Sequence, residues 1–357
     1  MKSLLVCLLL SVALCAAAQT TVTLPLVIKD ATGKAVIGLQ TSDFSVQAAK
    51  DISFTQIDEV MPATIGGDPA KAPIYVVFDA TSVTSPLQGS VQQLLLELLA
   101  DTTTRHEPIT LLIYNGRGLQ LIHDFSDDSD VLLAAVKRLQ NAERAGSAIV
   151  PSTGDPEFEA KVTRKLDSLK RLRELVSAGN VASVPIVMGE LAALEHLGAL
   201  LEQSAKRKAV LWIGAMFPLQ VDSGVMNFNS NTTTTMPEVK GMIVAYEKTV
   251  EMLNRAHVSI YPLQVSGGAP PMPTLSYADS THIGFGQLAR RTGGVNLDRS
   301  LDFPLAISEV RKDFGSYYLA LFESTPIKKN PRWMSVRIEA RKPSMKLRAS
   351  DGFFAFQ

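Results

Sequence analysis

One short run limits what this chain can fold into more than any other. Ile74-Tyr75-Val76-Val77-Phe78 is apolar throughout, rich in β-branched and aromatic residues, and ends on Asp79. Such a run, without polar alternation, predicts a strand covered on both faces. The small hydroxyl residues Thr81 and Ser82 follow the acid, and Pro86 opens a helical pattern. Leu87, Val91, Leu94, Leu95 and Leu98 recur there at helical spacing. Strand, acid, hydroxyl loop and helix form the first βα unit of an open parallel sheet. Ligands meet such sheets at the carboxyl ends of the strands.

The same pattern recurs between residues 73 and 313. Ile109–Tyr114, Ala209–Ile213 and Val258–Leu263 predict further buried strands, with amphipathic helices between them. Leu119–Phe125 follows Asn115-Gly116-Arg117-Gly118, a hairpin signal that makes it the antiparallel edge. Outside these limits the period changes to two. Residues 19–72 read as a small β module with a Gly- and Pro-containing linker, and residues 314–357 as C-terminal strands. Neither end has enough strands to bury a core alone or to protect its edges. The fold class expected is therefore α/β: a doubly wound, mostly parallel sheet inserted in a small β-sandwich made from both ends.

At the amino end, Lys2 precedes the apolar stretch Leu4–Leu14, and Ala16-Ala17-Ala18 stands before Gln19. This is the pattern of a secretory leader, residues 1–18, cleaved near Ala18/Gln19 and too short for a membrane span. A secreted or periplasmic protein with no membrane span after leader removal is expected. Cys7 and Cys15, the only two cysteines, both lie in that leader. Thiol chemistry, disulfides and thiolate metal sites are thereby excluded from the mature chain. Lys plus Arg and Asp plus Glu number 35 each. That balance gives no electrostatic recruitment to nucleic acid.

Catalytic motifs are missing from the sequence: it contains no Gly-x-Ser-x-Gly elbow, phosphate loop or Gly-x-Gly-x-x-Gly run. The five histidines, at 106, 123, 196, 257 and 282, show no paired ligand spacing. Ser152-Thr153-Gly154-Asp155 has the look of a site, but Asp155 before Pro156 is more economically a helix start.

Several stretches carry a family resemblance. They include Val27–Lys34, Asp43–Val46, Tyr75–Thr81, Lys206–Gly214, Val258–Pro262, Leu288–Gly294, Tyr317–Leu321 and Leu347–Phe353. In this order and spacing the chain resembles secreted VWFA-related proteins of the acidobacterial type, a branch of the von Willebrand factor type A superfamily. The resemblance implies a doubly wound sheet and protein binding rather than catalysis. It also implies a metal-ion-dependent adhesion site of the pattern Asp-x-Ser-x-Ser, with a Thr from a middle loop and an Asp after the fourth strand. Such oxygen ligands hold Mg2+ in near-octahedral geometry and leave one position for a partner's carboxylate. Asp79 matches the first Asp, and Thr81 keeps the first hydroxyl. Val83 occupies the second Ser position and Gly214 the second Asp position, and neither offers a side-chain oxygen. Ser147, Ser152 and Thr153 are candidates for the middle-loop hydroxyl, while Asp222 lies far beyond its strand.

The metal residues implied are thus Asp79 and Thr81 in a degenerate site, with Mg2+ held weakly at most and no other cofactor. The function expected is a secreted, non-enzymatic adhesion or scaffold protein that meets an extracytoplasmic protein partner through Asp79, Thr81, Ser82, Ser147 and Thr153. The alternative from a different class is a secreted hydrolase using Asp79 with a histidine such as His123 or His282.

Overall fold

A computed structural model describes residues 20–355, apart from segments 49–51, 61–63, 66–67, 70–72, 83–84, 101–107, 125–127, 146–153, 178–184, 205, 215–235, 265–285, 298–302, 315–316 and 325–331. The expected leader lies outside the described residues.

The protein is mixed α/β around a sheet that contains parallel strands. β1 (Thr20–Lys29), β2 (Phe44–Ala48) and β3 (Ile52–Val60) come first, and a minimal pair, β4 (Thr64–Ile65) and β5 (Asp68–Pro69), falls within the expected linker. The central sheet uses β6 (Ile74–Asp79), β7 (Ile109–Tyr114), β8 (Leu119–His123), β9 (Lys208–Gly214) and β10 (Val258–Gln264). Its order is β10-β9-β6-β7-β8, parallel except for β8. The antiparallel edge follows from the short Asn115–Gly118 connection, which cannot cross over to a parallel position. Leu297 adds one further parallel bridge, to Leu263.

Six of the helices are α1 (Ser85–Ala100), α2 (Ser129–Ala145), α3 (Pro156–Ser177), α4 (Pro185–Leu201), α5 (Met236–Arg255) and α7 (Phe303–Lys312). Between α5 and α7, residues 286–291 form the short helix α6. Asp155 accepts a hydrogen bond from Glu157 N at 2.9 Å, so it caps α3 as its place before Pro156 suggested. Alternation along β6 explains the two-sided cover. Ile74, Val76 and Phe78 join one apolar cluster with residues of α1, α2, α3 and α7. Val77 joins the opposite cluster with Trp212 of β9 and residues of α4 and α5. Of the residues in the strands expected to be buried (74–78, 109–114, 209–213 and 258–263), all are buried except Tyr75 and Leu112, which are half-buried.

Strands from the two ends of the chain pair with one another. β1 lies between β11 (Tyr317–Ser324) and β13 (Lys346–Ala349), and β3 extends that sheet beyond β11. β12 (Arg332–Ala340) pairs with both β2 and β14 (Gly352–Ala355). Both sheets are antiparallel, and they share one apolar cluster that includes Leu24, Leu26, Phe44, Tyr318, Phe322, Met334, Val336 and Phe353. Each strand offers one apolar face, so the shared cluster buries what neither end could bury alone.

This assembly meets the central sheet at the amino ends of β9 and β10. Arg207, just before β9 and buried, donates to Ser259 Oγ at 3.1 Å, Tyr261 Oη at 3.2 Å, and the carbonyls of Gly293 and Asp313 at 3.1 and 3.0 Å. Its guanidinium also lies 4.6 Å from the ring centroid of Phe314. Asp313, at the end of α7, pairs with Lys29 of β1 at 2.7 Å and with Arg348 of β13. The carboxyl ends of the parallel strands, about 20 Å away at strand rise, are left to the residues that follow Asp79.

Candidate functional site

The strand order places a crevice at the Asp79 end. From β6 the chain passes to β7 on one side and later to β9 on the other, so β6 and β9 flank the point where strand order reverses. In open α/β sheets that is where ligands bind. Register puts Asp79 opposite Tyr114, the last residue of β7, and Phe78 opposite Ile213, so Gly214 of β9 stands beside Asp79.

Asp79 is fully buried. Its Oδ1 accepts Thr81 N at 2.9 Å and Thr81 Oγ1 at 2.7 Å. This is the local turn an Asp makes with a residue two positions on, and it fixes the carboxylate plane. Ala80 N donates to the Tyr114 carbonyl at 2.9 Å, which holds the loop against β7. Asp79 Oδ2 is left with no hydrogen-bond donor. A Cβ built on Gly214 would lie 3.4 Å from that oxygen and only 2.8 Å from Ser82 Oγ. Asp79 Oδ2 and Ser82 Oγ therefore converge on the space over Gly214. Any side chain at 214 would have to displace Ser82 Oγ.

The residue that sequence reasoning missed is Glu190. It comes from the second turn of α4, is fully buried, and its carboxyl faces that of Asp79 within hydrogen-bonding reach. Both Glu190 oxygens lack a donor. Burial, then the Asp79 charge, then the contact with Asp79 push the Glu190 carboxyl well above the usual carboxylate range. Tyr114 reports the same field. Burial first, then Glu190 and Asp79, push its phenol up to about 12. Gly189 makes the approach of α4 feasible, because any Cβ there would collide with the Tyr114 hydroxyl. A signal for Glu190 exists in the sequence: it stands on the apolar stripe Glu190-Leu194-Leu197 of a helix whose other charged side chain, Glu195, lies off that stripe.

The other expected site residues divide into placed and unplaced. Thr81 and Ser82 lie at the site. Val83, Ser147, Ser152, Thr153, Asp222 and His282 lie outside the described residues. His123 is on edge strand β8, with β7 between it and β6, and His257 lies at the amino end of β10.

The resemblance implies a divalent cation here, and the donor set fits one better than the motif alone indicates. Asp79 and Glu190 supply two carboxylates, and Thr81 and Ser82 supply hydroxyls with lone pairs to share. Two touching buried carboxyls cannot both stay charged unless a proton or a cation lies between them. Among the described residues no third His, Cys, Asp or Glu joins them.

No family model matches this chain, and no curated protein matches it. Among solved structures, the TFIIH p34 N-terminal domain is similar over 66% of this chain and 95% of that chain, at 11% identity and a TM-score of 0.31. A score that low supports no conclusion about function. Among the described residues, no helix is long and apolar enough to cross a membrane.

Proposed function

We propose that this is a secreted, non-enzymatic interaction protein: a von Willebrand type A-like domain inserted between β strands of both chain ends, meeting a protein partner at the carboxyl edge of its central sheet. The observation that carries this reading is the Asp79 loop at the strand-order reversal. There a buried carboxylate is pinned by Thr81 with one oxygen and presents the other over Gly214. Such a loop suits an adhesion site, because acidic and hydroxyl oxygens fixed at a sheet edge give a partner's complementary polar groups a defined place to dock. Asp79, Thr81 and Ser82 form the described part of the face, and Ser147 and Thr153 belong to it by the resemblance. The Arg207 joint at the opposite end leaves this edge for a partner.

A photo-crosslinking amino acid at Ser82, with a control at Ser204 on the opposite edge, tests the reading. The mature protein is incubated with the native extracytoplasmic fraction. A discrete adduct from position 82 that Asp79→Ala abolishes is the expected outcome. Equal adducts from both positions, or adducts indifferent to Asp79→Ala, would overturn it. Turnover of ester, peptide or glycoside substrates that Asp79→Asn abolishes would replace it with a hydrolase.

A further inference from the structure

We propose that Glu190, a residue outside the Asp-x-Ser-x-Ser motif, supplies the second carboxylate of a divalent-cation site shared with Asp79, Thr81 and Ser82. The motif read alone is one carboxylate short, because Gly214 stands where the superfamily pattern places its second Asp. The structure offers a carboxylate from another direction. Gly189 lets α4 close on Tyr114, and the next residue, Glu190, then reaches Asp79. The replacement is not a matter of an acidic cluster alone. Glu190 and Asp79 are both fully buried, and three of their four carboxylate oxygens have no donor. A proton shared between the two carboxyls engages only two of these three oxygens and leaves the third without a partner. The side-chain donor that Asp79 does have, Thr81 Oγ1, engages Oδ1 and leaves Oδ2 without one.

The ligand class follows from the donors. Carboxylates and hydroxyls without imidazole or thiolate select hard cations, Mg2+ or Mn2+ before Zn2+ or Cu2+. Gly214 keeps the space over Asp79 Oδ2 clear of any side chain of its own, and a Cβ there would close it. The inference goes beyond the partner-binding reading. It is tested with the metal alone, so its failure leaves that reading standing.

The experiment is Mn2+ titration of the mature protein, followed by electron paramagnetic resonance and calorimetry, with Mg2+ as competitor. One Mn2+ per chain is expected, with a Kd on the order of 10⁻⁴ M, the range of extracellular carboxylate sites. Glu190→Gln and Asp79→Asn should each weaken binding at least tenfold, while Glu97→Gln, an exposed acid on α1, leaves it unchanged. Both site variants are isosteric, and their thermal melts check that they fold. A second readout is the melting temperature, which millimolar Mg2+ should raise for the wild type and not for Glu190→Gln. Absence of Mn2+ uptake up to millimolar metal would overturn the proposal. So would Glu190→Gln protein that binds Mn2+ as tightly as the wild type.

Discussion

Buried carboxylates stand at both ends of the central sheet, and the two ends treat them in opposite ways. At the amino end Asp313 is enclosed by Lys29 and Arg348, with Arg207 donating to its carbonyl. At the carboxyl end Asp79 and Glu190 face one another with no cation among the described residues. The first arrangement is charge-paired within the chain, so it reads as a joint that locks the terminal strands to the α/β core. The second is incomplete, so it reads as a place for a charge from outside. A buried charge costs several kcal/mol unless paired. The fold compensates the Asp313 charge with two cations and gives the Asp79–Glu190 pair none among the described residues.

The sharpest way to break this comparison is to empty the joint. Arg207→Ala removes four hydrogen-bonding relationships and a stacking partner from a buried position. A stability loss of about 3–5 kcal/mol is expected from breaking such a network, read by urea denaturation. Arg207→Lys should recover only part, because a point charge cannot serve acceptors spread around a planar fork. A loss below about 1 kcal/mol would show that the joint is no tighter than a surface contact.

Acid sharpens the same point. Burial alone would raise the Asp313 carboxyl, but Arg348, Lys29 and Arg207 outweigh it and hold the group below its ordinary value of 3.8. A carboxyl with a depressed folded value contributes stability that is present above the unfolded value and lost as pH falls through the folded one. The wild type should therefore lose stability steeply below pH 3.8, and Asp313→Asn, already weakened at neutral pH, should lose less over the same interval. Parallel acid limbs for the two proteins would mean that the joint does not titrate as a unit.

The open end should respond with the reverse sign. In chelator, Glu190→Gln replaces an acid that must take up a proton to sit beside Asp79 by an amide whose N–H can donate to Asp79 Oδ2 without one. A gain of about 1.5–3 kcal/mol is expected, the range of a hydrogen bond to a charged group, measured as a higher urea midpoint. With Mg2+ present the gap should narrow, because only the wild type binds the ion. A Glu190→Gln protein less stable than the wild type in chelator would show that the acid pair is already satisfied within the chain.

The two ends also differed in how much of them could be read from the residues. The Asp79 loop was legible because its parts are consecutive: Ile74–Phe78, Asp79 and Thr81 lie within eight residues of one another. The pairing of chain ends was legible through edge chemistry, since alternating strands at both ends needed a common partner. Glu190 escaped because its partner is more than a hundred positions away and helix α4 also carries Glu195 and His196, so an acid there does not stand out. A single acid on a buried stripe was the signal, and only the packing of Gly189 on Tyr114 turns it toward Asp79. The joint escaped for the same reason. Lys29, Arg207, Asp313 and Arg348 are ordinary charged residues in a chain of balanced charge, and nothing local marks Arg207 and Asp313 as buried or pairs them with the other two.

The smallest change probes whether the loop itself is structural. Thr81→Val keeps the side-chain shape and the backbone N–H that donates to Asp79 Oδ1 at 2.9 Å, while removing the hydroxyl that donates at 2.7 Å. Since the turn survives on the backbone bond, a loss of about 1 kcal/mol is expected in chelator, the net worth of one hydrogen bond. The cation should suffer more than the fold does, because Thr81 also lends its lone pairs there. Mn2+ affinity should therefore fall in Thr81→Val and stay near wild type in Thr81→Ser, which restores the oxygen. If Thr81→Val instead destabilises the protein as severely as Arg207→Ala, the Asp79 loop belongs with the joint, and the contrast between the two ends of the sheet is lost.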